Sequence, residues 1–209
     1  MQEILSYPSA ERNGAPIQTQ LDALLRPGMR VLEIASGAGN HVERFATAWP
    51  QVHWQPSEPA AEPRRSVDAR VAQARLANVA PALALDVTAS WPKERFDLVL
   101  CVNMVHISPW EATEALLVGA AQVLHAGGTL FLYGPYKIGG QHTAPSNREF
   151  DADLRRRNPQ WGIRDVEALV EFGQSVGLVG QAPIPLPANN FCLLFKRRER
   201  STEQAQPIL

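Results

Sequence analysis

Val31-Leu32-Glu33-Ile34-Ala35-Ser36-Gly37-Ala38-Gly39-Asn40 is the stretch that decides the fold. Val31 to Ile34 reads as a buried strand, two glycines follow, and His41 to Trp49 then carries a helical pattern. A strand that breaks into a glycine-rich turn and opens a helix is a nucleotide cradle, because Gly37 and Gly39 permit backbone angles and close approaches that a side chain forbids. Glu33 sits in the strand end, where a carboxylate is expensive without a partner. A cationic or hydroxyl-rich ligand would supply one.

Working outward, strand and helix patterns alternate, which predicts a parallel sheet with helices on both faces. The first strand, Val31 to Ala35, is entered from the Pro27-Gly28 turn, and the second is expected over Val52 to Gln55. Pro59 opens a long Ala- and Arg-rich helix to about Ala77. A short third strand, Leu83 to Leu85, ends at Asp86, and a fourth, Phe96 to Val102, reads as buried on both faces. Ser108, Pro109 and Glu111 read as the N-cap, first-position proline and capping-box acid of a helix running from about Pro109 to His125, stopped by Gly127-Gly128. Thr129 to Tyr133 is the fifth strand.

Residues 134–164 form a polar insertion with only a short helical phase, and long connections of this kind are usually functional. Asp165 then caps a helix closed by Gly177. Leu178 to Leu186 and Phe191 to Arg197 read as an antiparallel hairpin joined at Pro187-Ala188-Asn189-Asn190, and from Arg198 the chain is a polar tail. Residues 1–197 are therefore expected as one domain, with 134–164 as a substrate-side insertion and 198–209 as a flexible tail.

Composition narrows the classes. With 209 residues and 45% hydrophobic content the chain can bury a full core. Twenty basic against twenty-one acidic residues leave a formal charge of −1 and no field to gather phosphate backbones, so nucleic acid is not an expected partner. The basic clusters Arg155 to Arg157 and Lys196 to Arg200 read as solvated faces. Cys101 and Cys192 lie far apart in apolar runs, which suits buried thiols in a cytoplasmic protein. No signal peptide, no membrane span and no paired metal-ligand spacing is visible.

Glycine turn, strand-end acids and terminal hairpin together resemble the class I S-adenosylmethionine-dependent methyltransferases over roughly residues 28–197. Glu33-Ile34-Ala35-Ser36-Gly37-Ala38-Gly39 corresponds to the family's acid-x-Gly-x-Gly-x-Gly loop, with Ala35 where the first glycine stands. A closer resemblance is to the uncharacterised subgroup that contains methyltransferase-like protein 26. It is carried by Ser9-Ala10-Glu11-Arg12-Asn13, read as preceding the first helix, and by Trp54-Gln55-Pro56-Ser57-Glu58, Tyr133-Gly134-Pro135-Tyr136 and Gly140-Gln141-His142-Thr143. Ser146-Asn147-Arg148-Glu149-Phe150-Asp151, Trp161-Gly162-Ile163-Arg164-Asp165 and Pro187-Ala188-Asn189-Asn190 complete it.

The resemblance implies an α/β, Rossmann-like sheet of seven mostly parallel strands with a C-terminal antiparallel hairpin. It implies S-adenosylmethionine as cofactor, with Glu33 near its ammonium and the backbone of Ala35, Ser36, Gly37 and Gly39 beside it. Glu58, nineteen residues beyond Gly39, would take both ribose hydroxyls, since a carboxylate only accepts hydrogen bonds. Asp86 with Val87 would meet the adenine, and Asn103 and Met104 would close the pocket.

A small molecule, an acidic one included, is the expected acceptor, at a rim formed by Arg12, Asn13, Tyr136, Lys137, Asn147, Arg148 and Asn190, where Asn147-Arg148 and Tyr136-Lys137 either grip an anion or are pinned by the loop's own salt bridges. His106 and His142 are the candidate bases, their ring pKa being suited to proton transfer. Two other readings stand beside this one: a non-catalytic module that binds S-adenosylmethionine or S-adenosylhomocysteine and contacts a protein partner, and a nicotinamide-dependent dehydrogenase, whose third fingerprint glycine is missing here. Oligomeric state is not encoded in any of these features.

Overall fold

A computed structural model describes residues 4–199. In chain order the strands are β1 (Arg30–Ile34), β2 (His53–Pro56), β3 (Phe96–Val102), β4 (Leu124–Gly134), β5 (Lys137–Ile138), β6 (Gln141–His142), β7 (Leu178–Gly180), β8 (Ile184–Leu186) and β9 (Asn190–Arg197). The helices are α1 (Pro8–Asp22), α2 (Asn40–Ala48), α3 (Ala61–Gln73), α4 (Trp110–Val123), α5 (Pro145–Arg157) and α6 (Val166–Ser175), with a single 3₁₀ turn at Met104–His106.

The main sheet has seven strands in the order β2-β1-β3-β4-β9-β7, and β8 also pairs with β9. β2, β1, β3 and β4 are parallel, whereas β9 runs antiparallel to β4, β7 and β8. Side chains alternate across the pleat and so build two cores. Leu32, Ile34, Val99, Cys101, Leu130, Leu132 and Phe195 pack with α4 and α6, while Val31, Leu98, Leu100, Phe131, Tyr133 and Leu194 pack with α1 and α2. Each such side chain, fully removed from water, contributes about 1.5–3 kcal/mol. Both cysteines are free and buried. The predicted α/β sheet with helices on both faces and a terminal antiparallel segment is the observed architecture.

Several local expectations need correction. Ser9 to Asn13 lies inside α1 rather than ahead of it. Leu83 to Leu85 is not a regular strand: the segment runs beside β2 through two isolated parallel bridges, Trp54 to Val79 and Ser57 to Leu83. The helix expected from Pro59 to Ala77 is shorter: ahead of its first turn the carbonyls of Glu58 and Pro59 hold the Arg64 guanidinium, and past its last turn Arg75 takes a left-handed conformation at φ 54°. Ser108 does not cap α4; Pro109 occupies that place, and the Ser108 hydroxyl donates back to the Met104 carbonyl at 2.9 Å. α4 ends at Val123 and passes directly into β4, whose first pair, Leu124 with Phe96, precedes a register shift that throws His125 to Gly127 outward.

The insertion 134–164, expected to hold only a short helical phase, carries the β5-β6 hairpin and the thirteen-residue α5. Leu178 to Leu186 is broken at Gln181-Ala182-Pro183 into β7 and β8. Asp165 does cap α6, accepting from the Glu167 amide at 3.1 Å. Of the expected tail, residues 200–209 lie outside the described residues. No helix among the described residues is long and apolar enough to cross a membrane.

Candidate active site

Beyond the carboxyl ends of β1, β2, β3 and β4 the chain turns over the sheet, the place where open α/β sheets present their ligands. β1 delivers Glu33 there, and the turn that follows demands unusual backbone. Ala35, Gly37 and Gly39 all have positive φ, at 52°, 56° and 86°. A Cβ on Gly39 would lie 3.0 Å from the Val67 Cα, so the missing side chain is what lets α2 start against α3. A Cβ on Gly37 would lie 3.1 Å from the Tyr7 ring, which leans on the turn from the segment ahead of α1. That segment is pinned: the Leu5 amide donates to Ser66 Oγ at 2.9 Å, and Arg70 holds the Leu5 and Ala38 carbonyls together.

Glu33 is 2% exposed, and its Oε2 has no hydrogen-bond partner among the described residues. Desolvation pushes its pKa up to about 8, the Ser36 hydroxyl lowering it in part and the charge of Glu58 raising it further. Ser36 also accepts from the Ser57 amide at 3.2 Å, and the Ser57 hydroxyl donates to the Glu33 carbonyl at 2.7 Å, so β1 and β2 are laced together under the turn. Glu58, also buried, accepts from the amides of Gly37 and Ala60 at 3.0 and 3.1 Å, one on each oxygen. The two acids predicted after β1 and β2 are therefore brought to one place. Asp86 differs, being exposed, with its carboxylate held by the Thr88 amide and hydroxyl at 2.9 and 2.7 Å; these bonds lower its pKa. Val87 beside it is buried.

After β3, Asn103 takes a left-handed conformation at φ 62° and starts the turn that carries Met104 and His106. Met104 is partly buried against the core. His106 is 1% exposed, and neither ring nitrogen has a partner among the described residues. Burial lowers its pKa to about 3, with the Arg164 charge adding to the effect, so the ring is neutral at ordinary pH. It stands edge-on to the buried Tyr136 at 5.0 Å between ring centroids. A Cβ on Gly134, at the end of β4, would fall 2.2 Å from His106 Nε2 and 3.2 Å from Asn103 Oδ1, so any side chain there would have to displace the imidazole.

The remaining rim residues divide. Asn13 accepts from the Tyr133 hydroxyl at 3.1 Å, tying α1 to the end of β4, whereas Arg12 is exposed on the same helix. Asn147 is buried and donates to Thr143 Oγ1 and the Asn189 carbonyl, and Asn190 donates to the Pro187 and Ala188 carbonyls; both brace the hairpin turn. Lys137 and His142 face each other across β5 and β6 and converge with Arg155 on Asp151. Arg148 is exposed on α5.

Asp151 was not singled out by sequence reasoning, although Arg148, Asp151 and Arg155 fall on one helical face by spacing. Tyr7 and Arg70 were also passed over, since nothing local marks them. A surface cleft of about 480 Å³ lies elsewhere, lined by Asp68, Val71, Arg75, Leu76 and Pro81, and no residue of the glycine turn borders it. No cluster suited to a metal ion occurs among the described residues.

With this geometry in place, similar proteins can be set beside it. An O-methyltransferase family protein from Burkholderia thailandensis superposes with a TM-score of 0.79 at 13% identity, over 92% of this chain and 57% of its own. The S-adenosylmethionine-dependent methyltransferase SibL, in its apo form, gives 0.75 at 18% identity over 91% and 56%. CalO1, a methyltransferase of calicheamicin biosynthesis in its SAH-bound form, gives 0.74 at 14% over 90% and 54%. The chain spans just over half the length of these proteins, and at such identities the likeness is one of fold. The family described as "Protein of unknown function (DUF938)" matches residues 5–197, nearly the whole described chain, and the protein belongs to that family.

Proposed function

We propose that the protein transfers a methyl group from S-adenosylmethionine to a small-molecule acceptor, and that it falls in the methyltransferase subgroup containing methyltransferase-like protein 26. One observation carries the reading: Glu33 presents a buried carboxyl oxygen with no partner among the described residues, beside a glycine turn. Such an oxygen is costly unless a cation meets it, and the ammonium of the cofactor fits that need. The names of the structural neighbours support the same chemistry.

On this reading the backbone of Ala35 to Gly39 passes beside the cofactor. Glu58 takes the ribose hydroxyls, because each of its oxygens keeps a lone pair beyond the bonds to Gly37 and Ala60. Asp86 and Val87 meet the adenine, and Asn103 and Met104 close the pocket. The cofactor supplies a methyl group already activated on sulfonium sulfur, so the chain has chiefly to align the partners and exclude water. His106 would take the proton that the acceptor atom loses as the methyl passes to it from sulfur, which leaves as the neutral thioether. Buried with no partner among the described residues, the ring is a weak base, and it would gain strength as a polar group of the acceptor meets it. His142, held against Asp151, orients the acceptor.

Calorimetry with S-adenosylhomocysteine tests the proposal. At pH 7 the protonated Glu33 must ionise to meet the ligand's ammonium, so binding is expected to release about one proton, read from the heat in buffers of different ionisation enthalpy. Glu33→Gln should abolish the release and weaken binding about tenfold or more, in line with a lost charge-assisted bond. Absence of heat with S-adenosylhomocysteine, or stabilisation by NAD alone, would sink the reading.

A further inference from the structure

One carboxylate oxygen in the insertion is asked to serve three positively charged or chargeable groups. Asp151 Oδ2 lies 3.3 Å from Lys137 Nζ, 3.3 Å from Arg155 Nε and 3.4 Å from His142 Nε2. Its other oxygen is occupied by the Ile163 amide at 2.7 Å. A single oxygen cannot accept well from three donors at once, so donor capacity is left over. Arg148, one turn earlier on α5, adds a further charge: the groups that act on His142 are Lys137, Arg148 and Arg155 on one side and Asp151 alone on the other. Three permanent cations against one carboxylate leave a local surplus of two positive charges on a protein whose overall charge is −1.

Asp151 is the one acid among the charges that act on His142, and the neighbouring carboxylates are turned to other partners. Asp165 caps α6 and holds the Gly140 amide, Glu167 holds the Gly139 amide, and Asp153 pairs with Arg156. The cations are also fixed in place. Lys137 and His142 come from paired strands, Arg155 lies over Gly162, and a Cβ at Gly162 would fall 2.7 Å from Asp151 Oδ1 and 2.8 Å from Arg155 Nη2. Beside them, His142 Nδ1 is buried with no partner among the described residues.

The cluster adjoins the candidate methyl-transfer centre. The Gly162 amide donates to the His106 carbonyl at 3.0 Å, and the Arg164 guanidinium holds the carbonyls of Val105 and Ser108 on either side of it. We propose that Lys137, His142 and Arg148, arrayed around Asp151, bind a carboxylate or phosphate group of the methyl acceptor and so select an anionic small molecule. This rests on the methyl-transfer reading above and adds the substrate class to it. Lys137 and His142, half-buried and held by Asp151, meet an anion without first having to be ordered, and the exposed Arg148 adds its charge from α5.

The test uses the full chain saturated with S-adenosylhomocysteine, at fixed ionic strength, titrated with inorganic phosphate, with malonate and with neutral malonamide. Phosphate or malonate should bind, the tighter of the two identifying the head group, and malonamide should not. The double variant Lys137→Gln/Arg148→Gln should weaken the anion about tenfold or more while its affinity for S-adenosylhomocysteine is unchanged. Arg148 is exposed and makes no hydrogen bond to the described residues, so Arg148→Gln alone gives a weaker form of the same result if the double variant is unstable. Binding of neither anion while S-adenosylhomocysteine still binds overturns this inference alone, as does equal binding of malonamide or equal affinity in the variants. Failure of S-adenosylhomocysteine to bind overturns the methyl-transfer reading and this inference with it.

Discussion

Ala35 holds a left-handed conformation at φ 52°, where an L-residue with a Cβ is disfavoured by about 1–2 kcal/mol and glycine is not. Replacing it by glycine gives back part of that gain through the greater freedom of the unfolded chain, about 0.5–1 kcal/mol. The methyl also packs against the α4-side core, which subtracts a little more. Ala35→Gly is therefore expected to raise the thermal midpoint by about 1–3 °C, at about 2–4 °C per kcal/mol for a chain of this size. A melt that moves downward would mean that the methyl contact outweighs the backbone strain. Strain of this kind at the mouth of a glycine turn is a local property, and it leaves Glu33 and Glu58 where they are.

At the scale of elements, Gly134 at the end of β4 packs against the 3₁₀ turn that carries His106. A Cβ at 2.2 Å from His106 Nε2 would have to displace that turn, and forced overpacking costs about 1–3 kcal/mol. Gly134→Ala should lower the thermal midpoint by about 5 °C and leave S-adenosylhomocysteine affinity within a few-fold, because Glu33 and Glu58 lie on other strand ends. An affinity loss as large as that of Glu33→Gln would place His106 among the groups that hold the cofactor.

Which elements are legible in the sequence follows from the same physics. β1 and β3 are apolar runs bounded by turns, and the position of Glu58 follows from its distance to the glycines. α5 is harder to see, since two of its three inward residues, Asn147 and Asp151, are polar and leave no apolar stripe. The segment near Leu83 has strand composition yet makes only single bridges. The charge cluster is invisible in one dimension because β5, β6, α5 and the Ile163 amide must all be in place before its members meet.

For the whole molecule, two buried histidines set the behaviour in acid. Burial lowers His41 to about 4 and His106 to about 3, both below the unfolded value of 6.5. A base depressed in the folded state contributes stability above its unfolded pKa and loses it as pH falls toward the folded one. The melting temperature should therefore drop steadily between pH 6.5 and 4, and the slope should be visibly flatter in the His41→Gln/His106→Asn variant. Equal slopes would mean that carboxylates alone govern the acid transition. Glu33 acts in the opposite sense: its raised pKa removes stability as pH rises from the ordinary carboxylate range to about 8, until a cation binds beside it.

The strap formed by Leu5 to Tyr7, clamped by Ser66 and Arg70 across the Gly37 turn, has a practical corollary. On the proposed reading Tyr7 stands against the glycine turn that would pass beside the cofactor, so a label attached at Tyr7 would crowd it. β9 runs the other way, carrying Arg197 to the far rim of the sheet. An attachment made at the Arg197 end of β9 is therefore the arrangement that stands away from the glycine turn.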